Sequence, residues 1–190
     1  MKNTQTTVAT IFIVIIAIAG IFYFSSKKGP DEMKNTATYT NTSYGVSFEY
    51  PAHYFLTERE VGNGERHHYL VMLVEDTEFN RDLIAGKILG TEGPIAITLD
   101  IYQNNLDKLT AEMWMKNTSE SNFKLGNGSY DVGIAGGLQV VSYLWDGLYR
   151  GKTVAIANDN NVYAFTATYN ADSDMTIRDL DQLLGTVKIK

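Results

Sequence analysis

Residues 137–169 read GLQVVSYLWDGLYRGKTVAIANDNNVYAFTATY. They hold three strand-like runs, GLQVVSYLW (137–145), YRGKTVAIA (149–157) and VYAFTATY (162–169). Asp146-Gly147 and the stretch from Asn158 to Asn161 separate the runs, and both are turn formers. Three strands in succession with short turns predict an antiparallel meander, the frame on which the rest of the chain is arranged.

Upstream, IAITLDIYQ (95–103) reads as another strand, and YFLTEREVGNGERHHYLVMLVED (54–76) as a hairpin whose Gly62-Asn63-Gly64 supplies the positive φ of its turn. YGVSFEYP (44–51) alternates strictly: Tyr44, Val46, Phe48 and Tyr50 fall on one face, and Pro51 ends the strand by removing a ladder donor. Residues 77–93 have no firm period and predict a loop or short helix. LDKLTAEMWMKN (106–117) predicts a helix capped by Asn105, with a stripe of Leu106, Leu109 and Met113 and an i,i+4 pair of Glu112 with Lys116. ADSDMTIRDLDQLLG (171–185) predicts a second helix. Asp172, Ser173 and Asp174 stand at its positive end, Ile177, Leu180 and Leu184 form its buried stripe, and Gly185 closes it before a last strand, VKI. A long meander with two separate helices predicts an α+β layer structure.

The order of these features resembles the PsbP-like family over about residues 38–190. The sharpest likeness is the Tyr-Gly-x-x-Phe-x-Tyr-Pro entry at 44–51. The hairpin, the mid-chain helix, the glycine-rich turn before the meander and the closing helix agree with it. The resemblance implies an α-β-α sandwich around a mainly antiparallel sheet, in proteins that are commonly exported or membrane-tethered. The founding members are accessory subunits of the photosynthetic oxygen-evolving complex, a role nothing in this chain carries. The family offers no catalytic motif to transfer.

The N-terminal side is of another character. Residues 8–24 carry no charge and only Thr10 as a clearly polar side chain. As a helix they cover roughly 25 Å, and Ser25 and Ser26 extend them towards a ~30 Å hydrocarbon core. Phe22, Tyr23 and Phe24 suit the interface, Lys27 and Lys28 stop insertion, and Gly29-Pro30 breaks the helix. The expectation is a stub (1–7), a single transmembrane helix (8–26), a linker (27–43) and a domain (44–190) held outside the cell membrane. A cleaved leader, with Ala17-Ile18-Ala19 as its small-x-small site, is the alternative, although Ile21 to Phe24 would then form a greasy new terminus. A pilin-like subunit ranks below both, since the Gly-Phe junction and early glutamate that such subunits resemble one another in are absent from this sequence.

Charge and composition exclude several functions. Residues 1–30 hold three of the 16 basic residues and none of the 22 acidic ones, so the other 13 and 22 leave the remainder at −9. Phosphates and anionic lipids repel such a surface, and nucleic acid is not an expected partner. With no cysteine, disulfides, thiolate metal sites and cysteine nucleophiles are ruled out.

Motif by motif, chemistry is thin. Gly133-Ile134-Ala135-Gly136-Gly137 lacks both phosphate-loop patterns and precedes a strand, so it reads as a turn. His67 and His68 are adjacent in a strand and face opposite ways, with His53 a strand away. Asn170, Asp172, Asp174 and Asp181 fit positions one, three, five and twelve of a calcium loop, but Met175 and Arg178 stand where glycine and a neutral ligand belong. Helix capping accounts for those carboxylates, and weak calcium binding is left open. No G-x-S-x-G or H-E-x-x-H occurs. Tyr143, Trp145 and Tyr149 fall together across the Asp146-Gly147 turn, an aromatic patch that stabilises a sheet or contacts a protein or glycan partner. The expectation is a non-enzymatic binding or assembly module with no cofactor, whose partner is an unknown protein or cell-envelope component. The alternative is an anchored hydrolase whose site is scattered along the chain.

Overall fold

A computed structural model describes residues 35–190 except 65, 66 and 136. The stub and the span predicted over 8–26 lie outside the described residues. Among the described residues no helix is long and apolar enough to cross a membrane.

Among the described residues ten strands form two sheets, and every pairing between them is antiparallel. The small sheet has the order β1-β2-β10, from β1 (Thr36–Asn41), β2 (Val46–Pro51) and β10 (Lys188–Ile189). The large sheet has the order β3-β4-β5-β9-β8-β7-β6. Its strands are β3 (Tyr54–Val61), β4 (His68–Glu75), β5 (Ala96–Gln103), β6 (Tyr130–Ala135), β7 (Leu138–Asp146), β8 (Arg150–Ala157) and β9 (Asn161–Tyr169). The predicted meander is β7-β8-β9, with Gly151 opposite Trp145 and Thr166 opposite Thr153. The 54–76 hairpin is β3-β4, and Gly62 takes φ +76° in its turn.

Three α-helices complete the fold among the described residues: α1 (Glu78–Ile84), α2 (Ala111–Asn117) and α3 (Met175–Leu184). On one face of the large sheet, Phe165, Leu73 and Ile97 pack with Phe48 and Val46 of the small sheet and with Leu180 and Leu183 of α3. On the opposite face, α2 sets Ala111, Trp114 and Met115 against Val141, Ala155 and Ala164. Strands β8 and β9 are therefore covered on both sides, which is why VAIA and VYAF are buried without alternation.

Three expectations are corrected. The linker predicted over 27–43 contains β1, which pairs along its whole length with β2 and buries Tyr39. The helix predicted from Leu106 starts at Ala111, capped by Thr110 rather than Asn105. Buried Asn104 holds the preceding loop, accepting from Leu109 N–H at 2.7 Å and donating to Leu109 O and Asn158 O. Leu106 consequently lies in solvent, and the buried face is Ala111, Trp114 and Met115 instead of Leu106, Leu109 and Met113. Third, one layer of the implied α-β-α sandwich is largely a second sheet joined by α3, so the fold is richer in β structure.

Other readings meet their places in whole or in part. Residues 77–93 hold the short helix α1. Of the glycine-rich stretch at 133–137 read as a turn, residues 133–135 belong instead to β6, an edge strand not anticipated from the sequence, with Gly133 paired to Val140 and Ala135 to Leu138. Glu112 receives Lys116 Nζ at 2.6 Å. Asp174 occupies the N-cap position of α3, yet its carboxylate turns back to accept from the N–H groups of Asn170 and Ala171.

Candidate functional site

The face of the large sheet that carries α2 is only partly covered by it. Where α2 packs, the sheet presents small residues, Ala155, Ala157 and Ala164, which let the helix approach closely. One register step along, the outward side chains change to hydroxyls. Thr98, Thr166 and Thr153 stand in a row across β5, β9 and β8. This uncovered part of the sheet floors a groove of about 230 Å³.

Its walls come from three directions. Trp114 of α2 and Tyr102 of β5 form one side, with their ring centroids 5.3 Å apart. Trp145 of β7 forms another. Residues 120–122, following α2, close a third with Glu120, Ser121 and Asn122. That loop is firmly seated: buried Ser121 donates to Met115 O at 2.7 Å, and its own carbonyl accepts from the Tyr143 hydroxyl at 2.6 Å. Asn122 adopts the left-handed backbone conformation, φ +57°, which asparagine tolerates better than most residues.

Polar groups on the floor are linked. Trp145 Nε1–H donates to Thr153 Oγ1 at 2.9 Å, and Thr153 and Thr166 share a hydroxyl bond of 2.9 Å. Thr98 Oγ1 donates to Asp100 Oδ2 at 3.0 Å, while His68 Nε2 lies 3.0 Å from Asp100 Oδ1. His68 also stacks on Tyr102 at 4.6 Å. Burial pushes the Tyr102 phenol up, and the Asp100 and Glu120 carboxylates push it the same way. It is a neutral hydroxyl across the physiological range.

The sequence-predicted aromatic patch divides in this arrangement. Tyr143 is 3 % exposed and anchors the 120–122 loop from beneath. Trp145 is half-buried and lines the groove. Tyr149 is half-buried at the β7–β8 turn, its hydroxyl donating to Gly93 O at 2.6 Å. The three do not form one exposed surface. The histidines point to separate carboxylates: His53 to Asp179, His67 to Glu60 and His68 to Asp100. Of the calcium-loop carboxylates, Asp172 binds Arg150, Asp174 binds backbone and Asp181 binds Lys152. Among the described residues no group of three His, Cys, Asp or Glu side chains could hold a metal ion. Sequence reasoning missed Thr98, Asp100, Tyr102, Trp114 and Glu120, which meet only through the β5-β9-β8 pairings and the seating of α2.

A seven-stranded antiparallel sheet backed by a small sheet and α3, with a short helix over part of its other face, is a PsbP-like fold. Cyanobacterial PsbP (CyanoP) from Synechocystis sp. PCC 6803 superposes with a TM-score of 0.55, over 87 % of this chain and 98 % of its own, at 12 % identity. A protein from Bacteroides thetaiotaomicron VPI-5482 aligns over 83 % of this chain and 49 % of its own, at 10 % identity and a TM-score of 0.46. No family model and no curated protein matches the sequence. At such identities the likeness is one of fold.

Proposed function

We propose that the chain is a single-pass membrane protein that displays a non-enzymatic binding or assembly module outside the cytoplasm, with the groove over β5, β9 and β8 as its contact site. The observation that carries this reading is the groove's composition: aromatic walls and a hydroxyl floor whose bonds are structural. The hydroxyl, carboxylate and imidazole run in the order Thr98, Asp100, His68, with His68 outside the groove's lining. Activating a hydroxyl as a nucleophile needs the imidazole in the middle, between hydroxyl and carboxylate. Support for the anchor is the uncharged run at 8–24 ahead of Lys27 and Lys28. Support for an extracytoplasmic location is the PsbP-like fold, which the family resemblance associates with exported proteins.

The second reading, an anchored hydrolase, draws on Asp100 and Glu120 lining the same groove. Two carboxylates of different surroundings are what general acid–base hydrolysis requires.

Co-purification separates the two. Full-length protein, tagged and extracted from its own membranes after an alkaline wash, is expected to stay with the bilayer fraction and to bring a partner in comparable amount. Protein recovered alone, hydrolysing ester or glycoside substrates and inactivated by Asp100→Asn, would contradict the binding reading and establish the hydrolase.

A further inference from the structure

The groove carries a specific electrostatic and aromatic signature. Two carboxylates, Asp100 and Glu120, line it together with Tyr102, Trp114 and Trp145, and among its described lining residues there is no lysine, arginine or histidine. Asp100 has one oxygen engaged by Thr98 and the other by His68, which fixes the plane of the carboxylate and leaves further lone-pair positions on both oxygens. Aromatic faces and edge-held carboxylates both favour a cation, the first through the ring quadrupole and the second through charge. An anion or a second carboxylate would be repelled at the same place.

Size narrows the ligand. About 230 Å³ is below the roughly 300–1,000 Å³ of sites that enclose drug-sized molecules. It suits one long, thin group. A lysine or arginine side chain has that shape: its apolar stem covers aromatic surface while its charged head reaches the carboxylates. The charge of the whole domain agrees, since residues beyond 30 total −9 and steer a basic partner inwards while repelling anionic lipid and nucleic acid.

We infer that the groove between α2 and the β5-β9-β8 floor is a receptor for a single lysine or arginine side chain presented by a basic protein partner, with Glu120 and Asp100 as charge acceptors and Trp114, Trp145 and Tyr102 as walls. The inference rests on the binding-module reading above and deepens it by naming the chemistry of the partner.

The protein contains two tryptophans, Trp114 and Trp145, and both line the groove, so selectively excited tryptophan emission reports on it. Full-length protein in neutral detergent is titrated with the acetylated methylamides of lysine, arginine and norleucine, and with tetramethylammonium. A saturable change in emission is expected for lysine and arginine, with norleucine about tenfold weaker because it lacks the charge. Glu120→Gln should weaken the lysine probe by a similar factor, and raising salt from 50 to 500 mM should weaken it in the unaltered protein. Equal affinity for norleucine, indifference to both Glu120→Gln and salt, or no emission change with any probe overturns the inference. Tetramethylammonium binding more tightly than either amino-acid probe overturns the choice of a basic side chain. The two readings fail separately. A co-purified partner that still binds the Glu120→Gln protein sinks this inference and leaves the module reading standing. Saturable lysine binding by a protein that co-purifies with nothing does the reverse.

Discussion

Gly151 lies under Trp145, and that contact sets the groove's shape. A Cβ at position 151 would collide with the indole ring, whose Nε1–H is at the same time fixed to Thr153. Gly151→Ala is therefore expected to cost about 1–3 kcal/mol through overpacking, seen as a lower urea midpoint at unchanged slope. The same variant should shift tryptophan emission to longer wavelength as the indole lifts into water. A variant as stable as the parent, with unshifted emission, would show that the ring does not need the glycine. At this scale the sequence was partly legible. Period-two spacing places Tyr143 and Trp145 on one face, as observed, because strand geometry alone decides it. It could not say that the 120–122 loop would cover Tyr143 and leave Trp145 accessible, since that depends on where a separate helix docks. The threonine row was invisible for a similar reason: Thr98, Thr153 and Thr166 belong to three strands and become neighbours only through register.

Among the elements, α2 is the one whose placement makes the groove. Its outer face is tied to the edge strand β6: Glu112 Oε1 accepts from Lys116 Nζ at 2.6 Å and from the Tyr130 hydroxyl at 2.7 Å. The Lys116 bond first and the Tyr130 bond second hold the Glu112 carboxyl below its ordinary value of 4.5. A lowered carboxyl in the folded state contributes stability that is complete above the unfolded value and is lost as pH falls through the folded one. Glu112→Gln should accordingly melt at a lower temperature than the parent at pH 7, and the gap should close as pH drops below about 4.5. A gap that persists unchanged at pH 3 would mean the carboxylate's charge is not what joins α2 to β6. The helix itself was foreseen in the right region, with its Glu112–Lys116 pair, because that pair depends on local spacing. Its start was misplaced. Asn104 satisfies the backbone of the preceding loop from a buried position, a competition with helix formation that local propensity does not record. Strand β1 escaped notice because TATYTN offers only Tyr39 as a large apolar side chain to the core, beside Ala37 and four polar residues.

For the whole molecule, the meander, the hairpin and the closing helix were enough to indicate an α+β layer structure, and the resemblance carried by residues 44–51 pointed from there to the PsbP-like fold. The second sheet was not legible, because it is assembled from the two ends of the domain: β10 joins β2 across nearly the entire domain. That closure puts the small sheet and α3 on one side of the large sheet and leaves the groove on the other. The most direct test replaces Asn122, exposed at the groove's rim, or Thr38, exposed on the opposite layer, with a photo-cross-linking amino acid in full-length protein in its native membranes. The account predicts a discrete cross-linked species from position 122, absent from position 38 and lost on adding Glu120→Gln. Cross-links of equal strength from both positions, or from position 38 alone, would contradict it.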